Sequence, residues 1–113
     1  MSTIFTRIIN KEIPADILYE NDSVIAFRDV NPQAPVHFLV IPKKEIATLN
    51  DIQEDDKDII GELFLVAKKL AKKEGIEKKG YRTIFNCNED GGQTVFHIHL
   101  HVMGGRQMEW PPG

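Results

Sequence analysis

Cysteine is almost absent from this sequence, in which Cys87 is the single example among 113 residues. One thiol cannot close a disulfide within the chain, so small disulfide-stabilised folds are excluded. Tryptophan is equally scarce, since Trp110 stands alone. The fold must therefore rest on an ordinary apolar core, which a hydrophobic content of 42% can supply. A chain of this length suits one compact domain, which we expect to span residues 1–113.

The sequence also lacks an excess of positive charge, a long apolar run and a leader-like N-terminus. Its net charge is −3, so it presents no basic surface that would attract nucleic acid. No stretch approaches the roughly 20 apolar residues that cross a bilayer. The first residues do not show the charged-then-apolar pattern of a secretory signal. We therefore expect neither a nucleic acid nor a membrane as partner, and a cytoplasmic location.

Histidine is present in an ordered row near the C-terminal end. His97, His99 and His101 occupy alternate positions. A period of two is typical of a β-strand, so the three imidazoles are expected on one face. Residues two apart on a strand lie roughly 6.5–7 Å from each other, a spacing that suits a row of groups along one extended ligand. The opposite face is expected to pack on the core through Phe96, Ile98, Leu100 and Val102.

This row has three interpretations: a solvated surface strand, a metal site and a catalytic row. His-x-His on a strand is a known pair of metal ligands. Three positions on one face, however, span too far for one ion to reach the outer two easily. No cluster of cysteines or carboxylates completes a coordination shell. We therefore expect no metal and no other cofactor.

The residues just before the row favour the catalytic interpretation. The segment 89–94 is expected to form a turn that enters the histidine strand. Gly91 and Gly92 allow backbone N–H groups to approach an anion closely, and Gln93 and Thr94 add neutral donors. A plain hairpin turn would carry the same glycines, so the turn supports catalysis only together with the three histidines.

The segment from His97 to Met103 resembles the histidine-triad (HIT) signature of nucleotide hydrolases and transferases. Several other stretches resemble the Hint branch of that family and extend the likeness from Ile4 to the C-terminal end. They are Asn31-Pro32-Gln33-Ala34-Pro35, the segment from His37 to Lys43, Asn86, the segment from Gly91 to Thr94, and the ending from Gly104 to Gly113.

The expected fold is α+β, with a five-stranded antiparallel meander-like sheet, one long helix and one short helix. The patterns predict strands over residues 16–20, 23–28, 37–42 and 81–86, followed by the histidine strand. They predict a short helix over residues 3–10 capped by Ser2, and a long helix over residues 55–74 stopped by Gly75. Both helices are expected on one side of the sheet. The resemblance implies a homodimer in which two sheets form one continuous sheet.

The histidines receive their expected roles from this resemblance and from their order along the ligand. His99, in the middle, is the expected nucleophile toward the α-phosphorus. His101, with Gln93, Thr94 and backbone N–H groups, is expected to steady the phosphate oxygens. His97 is expected to hold geometry with His37 or to join a proton relay. Thr94 or a histidine would protonate the leaving amine, and the residues do not choose between them.

Other residues are expected to form a nucleotide pocket. At a strand end Asp29 could cap a turn toward Asn31, but it matches the family's ribose-binding acid, and the resemblance favours that role. Asn86 is expected to contact ribose or phosphate, unless its amide only forms hydrogen bonds within the turn. A base needs flat apolar walls. The full set of expected nucleotide-binding residues is Phe5, Ile8, Ile13, Phe27, Asp29, Val30, Asn86, Gly92, Gln93, Thr94, His99, Leu100 and His101.

The function implied by the resemblance is hydrolysis of purine nucleoside 5′-monophosphoramidates at the P–N bond. The reaction would proceed through a covalent nucleotidyl-histidine and release AMP or GMP. A dinucleoside polyphosphate hydrolase of the same superfamily is the first alternative. A nucleotide-binding regulatory module with incidental activity and a metal carrier are the others. The tail from Trp110 is expected to lie near the partner subunit's site.

Overall fold

The structure is a computed structural model that describes residues 3–113. It contains five strands, three helices and two single 3₁₀ turns. In chain order these are α1 (Ile4–Ile9), β1 (Ile17–Glu20), β2 (Val24–Arg28), β3 (Val36–Pro42), the 3₁₀ turns Leu49–Asp51 and Glu54–Asp56, α2 (Lys57–Lys73), β4 (Tyr81–Ile84), α3 (Asn88–Gly91) and β5 (Leu100–Gly104).

The five strands form one antiparallel sheet in the order β1-β2-β3-β5-β4, which confirms the predicted fold class. The first three strands follow one another as a meander. The last two strands lie in the reverse of their chain order, so that β5 is in the interior of the sheet and β4 is at its edge. In this register His101 is flanked by Leu39 on β3 and by Ile84 on β4.

The two main helices cover opposite faces of the sheet, and the expectation that both lie on one side is wrong. Successive residues of β2 and β3 point to alternate faces, and almost all of them are buried and apolar. Because both faces of the sheet are apolar, each must be shielded from water by a helix. On the α2 face the core includes Val24, Ala26, Phe38, Val40, Leu63, Val66, Leu70, Leu100 and Val102. On the α1 face it includes Phe5, Ile8, Ile25, Phe27, Leu39 and Ile41.

Helix α1 is short and is fixed by its cap and its buried face. Thr3 is the N-cap, and its hydroxyl accepts a hydrogen bond from the backbone N–H of Thr6 at 3.3 Å. Ser2, the predicted cap, lies outside the described residues. Phe5 and Ile8 are buried one turn apart, so α1 lays an apolar stripe across the sheet.

Helix α2 buries one stripe and leaves apolar side chains on its outer surface. Leu63, Val66 and Leu70 pack on the sheet, whereas Phe64 and Leu65 are 46% and 66% exposed. Gly75 follows with a φ of +80°, which suits a residue without a side chain at a helix end. Within residues 3–113, no helix has the length and apolar character needed to cross a membrane.

The histidine strand begins later than its alternation predicts. Strand β5 starts at Leu100, and residues 96–99 are bent or irregular. The cause lies in β3, whose last residue, Pro42, has no N–H to donate to a ladder. The N–H of Ile98 donates instead to the carbonyl of Ile46 at 2.8 Å. Phe96, expected on the core face, is 46% exposed.

The connection from β4 to β5 is longer than the predicted turn. Strand β4 ends at Ile84 instead of Asn86, and the chain then makes the single turn α3 before it reaches β5. Gly92 closes α3 with a φ of +83°. This path brings Asn86, Gly92 and Thr94 beside the sheet on the α1 face.

Candidate active site

A cavity of about 340 Å³ lies on the α1 face of the sheet. One side of it is apolar, and the other carries a carboxylate, an amide, a hydroxyl and two imidazoles. It is lined by Ile4, Phe5, Ile8, Phe27, Asp29, Val30, Leu39, Asn86, Gly92, Thr94, Val95, His99 and His101.

The apolar side is built from aromatic rings on two elements. Phe5 of α1 meets Phe27 of β2 edge to face, with ring centroids 5.7 Å apart. Phe5 also contacts the ring of His99, with centroids 4.9 Å apart and planes at 81°. Val30 is 96% exposed and stands at the rim. The apolar wall therefore reaches up to the histidine that is expected to react.

The structure fixes the tautomer of His99. Its Nδ1 lies 2.8 Å from the backbone carbonyl of His97. A carbonyl oxygen only accepts, so Nδ1 carries the proton and the neutral ring keeps its lone pair on Nε2. Burial lowers the pKa of His99 and outweighs the hydrogen bond to the carbonyl of His97, which raises it. The ring is therefore neutral at pH 7, with a free nitrogen on a residue that lines the cavity.

His37 and His101 form a pair whose proton position is equally determined. The backbone N–H of Gln33 donates to His37 Nδ1 at 3.0 Å, so His37 carries its proton on Nε2. That Nε2 lies 3.0 Å from His101 Nδ1, which must therefore accept. His101 then holds its own proton on Nε2 and is a donor. Burial, followed by the charges of His99 and His37, lowers the pKa of His101 to about 4.

His97 lies outside the cavity and does not contact His37. It is 1% exposed, and its Nε2–H donates to the carbonyl of Pro42 at 2.7 Å. Among residues 3–113 no group meets its Nδ1. Burial lowers the pKa of His97, as expected for a ring whose second nitrogen would have no acceptor for a proton. The partner that the sequence assigned to His97 is instead held by His101. What His97 offers His99 is its backbone carbonyl.

Asp29 both caps a turn and faces the cavity. Its Oδ1 accepts from the N–H of Asn31 at 2.8 Å, and its Oδ2 lies 3.4 Å from His37 Nε2. The two interpretations from the sequence are thus compatible, because an ionised carboxylate has about four acceptor positions. Its negative charge raises the pKa of His37, His99 and His101, and so partly offsets the lowering that burial causes.

Three predicted nucleotide contacts lie away from the cavity. Gln93 is buried, and its side-chain NH₂ donates to the carbonyls of Ala47 at 2.8 Å and Val95 at 3.1 Å. Its Oε1 accepts from the N–H of Asn88 at 2.8 Å, so the amide is committed to holding the α3 segment. Leu100 packs in the core of the α2 face, and Ile13 borders the α1-face cluster outside this cavity.

The cavity also contains residues that the sequence reasoning did not select. Ile4, Leu39 and Val95 line it. The alternation of β3 carried a signal for Leu39, since residues two apart share a face and His37 was already a candidate. The backbone N–H of Gln33 left no such signal, because it depends on a loop conformation.

Asp29, His37 and His101 bring carboxylate and imidazole atoms within 4.8 Å of one another, as a metal site would. A metal at His37 would need the lone pair of Nε2. The Gln33 N–H requires that lone pair on Nδ1 instead, and so places a proton where the ion would bind. The cluster is therefore better suited to a chain of hydrogen bonds than to binding a cation.

The sequence profile of the HIT domain matches residues 10–108. The chain belongs to the HIT family. This HIT protein is 51% identical over 106 residues to the purine nucleoside phosphoramidase of Escherichia coli, covering 94% of this chain and 89% of that one. It is 54% identical over 111 residues to an uncharacterised HIT-like protein of Synechococcus elongatus, covering 98% and 96% of the two chains.

Solved structures of the family match the whole architecture. A HIT family hydrolase from Legionella pneumophila superposes with a TM-score of 0.97 at 53% identity, covering 99% of this HIT protein and 100% of that chain. A histidine triad protein from Clostridium difficile superposes with a TM-score of 0.91 at 45% identity, covering 94% and 92%. The resemblance drawn from the histidine row is confirmed, and so is the prediction that the protein is a hydrolase.

Proposed function

We propose that this HIT hydrolase cleaves the P–N bond of purine nucleoside 5′-monophosphoramidates. One observation carries the proposal: the hydrogen bond from His99 Nδ1 to the carbonyl of His97 leaves the lone pair on Nε2, in a neutral ring beside an apolar cavity. A histidine nucleophile requires that state. The 51% identity to the Escherichia coli purine nucleoside phosphoramidase supports the choice of substrate.

The reaction has two steps in this proposal. His99 Nε2 forms a bond to the α-phosphorus while the P–N bond breaks, and the electron pair of that bond leaves with the amine, which takes up a proton. Water then attacks phosphorus and gives up a proton to the side chain that protonated the amine. The P–Nε2 bond breaks, its electron pair returns to His99 Nε2, and the nucleoside monophosphate leaves. His101 donates through Nε2–H to a phosphate oxygen, where negative charge develops. Thr94 and His101 are the proton-bearing side chains on this part of the cavity.

The rest of the cavity accommodates the nucleoside. Phe5, Ile8 and Phe27 offer the apolar surface on which a purine can stack, and Val30 closes the rim. Asp29 accepts from the ribose hydroxyls through the acceptor positions that the N–H of Asn31 leaves free. Asn86 and Gly92 border the path between ribose and phosphate. Four further residues support the site without lining the cavity: Ile13, Gln93, His97 and Leu100.

We further propose that single HIT domains pair as a homodimer. Strand β4 is an open edge, since β5 is its one partner in the described sheet. The outer surface of α2 exposes Phe64 and Leu65. Pairing β4 with its copy across a two-fold axis would make one continuous sheet and cover the β4 edge of each copy. Trp110, 82% exposed, lies beside this edge in a groove that also includes Asn86, and so stands near the leaving-group side of the cavity.

A substrate screen with a rescue arm tests the activity. Adenosine 5′-monophosphoramidate and a diadenosine polyphosphate are compared as substrates, with AMP release followed by chromatography. We expect turnover of the phosphoramidate to dominate, and His99→Gly to reduce it by several orders of magnitude with AMP binding retained. Free imidazole added to His99→Gly should restore part of the rate, because it can occupy the vacated position.

Each arm has an outcome that counts against the proposal. Preference for the diadenosine polyphosphate would favour the alternative hydrolase, and binding of AMP without turnover of either compound would favour a regulatory module. Turnover by His99→Gly at a tenth of the original rate or more would remove His99 from the role of nucleophile.

A further inference from the structure

The loop between β2 and β3 contacts the ring of His37, which in turn contacts His101. Residues 31–35 follow Asp29, and the N–H of Gln33 donates to Nδ1 of His37 at 3.0 Å. Gln33 itself is exposed and does not line the cavity. Its backbone nevertheless contacts the ring that contacts His101, so it lies two hydrogen bonds from a side chain of the cavity wall.

This loop is held at several points, so that the N–H has a fixed direction. Asn31 donates its N–H to Asp29 at 2.8 Å, and the side chain of Gln33 donates to the carbonyl of Asn31 at 3.0 Å. Arg106, in the segment after β5, donates through Nε to the carbonyl of Gln33 at 3.1 Å. These bonds tie the loop to β2 on one side and to the end of β5 on the other.

We propose that the backbone N–H of Gln33 selects the tautomer of His37 and, through it, that of His101. The peptide group is a positioning group: it touches no substrate but decides which nitrogen of His101 carries the proton that the cavity receives. The consequence for catalysis rests on the proposed function, whereas the tautomers themselves do not.

The alternative arrangement shows why a selecting group is needed. A pair of neutral imidazoles can share its hydrogen bond in either direction. If His101 donated through Nδ1, its Nε2 would present a lone pair to the phosphate oxygens, and two acceptors would face each other. In that arrangement His37 would carry its proton on Nδ1, directly opposite the N–H of Gln33. Two donors would then oppose each other at 3.0 Å, and the amide would lose its partner.

Nitrogen NMR of the unaltered protein measures the tautomers without substrate. Long-range ¹H–¹⁵N spectra at pH 7 distinguish Nδ1–H, Nε2–H and doubly protonated rings. We expect His37 and His101 both to carry the proton on Nε2, and His99 on Nδ1. A spectrum in which His37 or His101 is the Nδ1–H form, or in which the pair is cationic, would overturn the proposal.

A matched pair of variants tests the cause. Gln33→Pro removes the N–H, whereas Gln33→Ala keeps the N–H and removes only the side-chain bond to Asn31. We expect Gln33→Ala to retain the tautomers of the original chain. Gln33→Pro should convert His37 and His101 to mixtures and lower kcat at least tenfold with little change in KM. Original tautomers in a folded Gln33→Pro would overturn the proposal.

Two features keep the test decisive. If Gln33→Pro does not fold, the spectrum of the unaltered protein can still overturn the proposal, because it requires no variant. The readout is also independent of turnover. Expected tautomers in a protein that hydrolyses no phosphoramidate would leave this inference standing and remove the proposed function, whereas turnover with the opposite tautomers would do the reverse.

Discussion

At the scale of single residues, the three histidines of the row differ in the hydrogen bond that one ring nitrogen of each makes. His97 donates to Pro42, His99 donates to the carbonyl of His97, and His101 accepts from His37. The sequence could predict the type and number of these rings, because alternation is visible in it. It could not predict the proton positions, because those depend on carbonyl and amide groups contributed by the backbone.

Asp29 provides a test of ribose recognition. Asp29→Asn keeps an oxygen for the N–H of Asn31 but removes the charge. Charge-assisted hydrogen bonds of this kind contribute about 1.5–3 kcal/mol, so we expect ribonucleotide affinity to fall by that order. Affinity for 2′-deoxy nucleotides should change less, and calorimetry of both ligands gives the ratio. If the ratio of ribonucleotide to 2′-deoxynucleotide affinity equals that of the original protein, Asp29 caps the turn and does not recognise the ribose.

The buried histidines make stability depend on pH. The pKa of His101 is about 4 in the folded protein, against an ordinary value of 6.5. Between these values the unfolded chain binds more protons than the folded one, so the free energy of unfolding falls as pH falls. This contribution is fully present above pH 6.5 and is lost progressively toward pH 4. We expect the urea midpoint to fall across this window.

His101→Gln supplies the comparison for that experiment. The variant has no titrating group at this position, so its urea midpoint should fall less between the same two pH values. His37, His97 and His99 also have pKa values lowered by burial, so part of the slope should remain. Identical slopes in the two proteins would show that His101 does not contribute.

At the scale of elements, the sequence predicted most segments and misplaced the transitions between them. Strands β1 to β3 and helix α2 lie within a few residues of their predicted bounds, because their periodicity continues through each element. Strand β5 was predicted to begin too early, since alternation continues through residues that make no ladder. The side on which α1 packs was also wrong, because a fully apolar strand indicates burial on both faces without assigning a helix to either.

The short helix α3 depends on one glycine. Gly92 has a φ of +83° and no atom within 4 Å of an added Cβ, so Gly92→Ala costs conformational strain alone. We expect it to lower the free energy of unfolding by about 1–2 kcal/mol. Gly91→Ala is the matched control, because its Cβ would make ordinary contacts with Asn86 from 3.7 Å. Chemical denaturation of both variants gives the comparison, and equal losses would contradict this account.

At the scale of the whole molecule, the exposed surface of α2 predicts self-association. Sedimentation at micromolar concentration should show a dimer. Leu65→Glu should produce a monomer, because it places a charge in an apolar contact. Lys78→Glu, at an exposed position beyond the C-terminal end of α2, is the control for charge and should remain dimeric. A monomeric original protein with full turnover would contradict the dimer and its link to activity.

The position of β5 between β3 and β4 also determines the order in which the sheet can be completed. Strands β3 and β4 are made first on the ribosome, yet they do not pair with each other and must leave room for a strand between them. The sheet closes only when residues 100–104 have been synthesised. A nascent or truncated chain that stops before them leaves the facing edges of β3 and β4 unpaired, in addition to the outer edges of the sheet, and unpaired edges invite aggregation. It also lacks His101, so hydrolytic activity should first arise when the last strand enters the sheet.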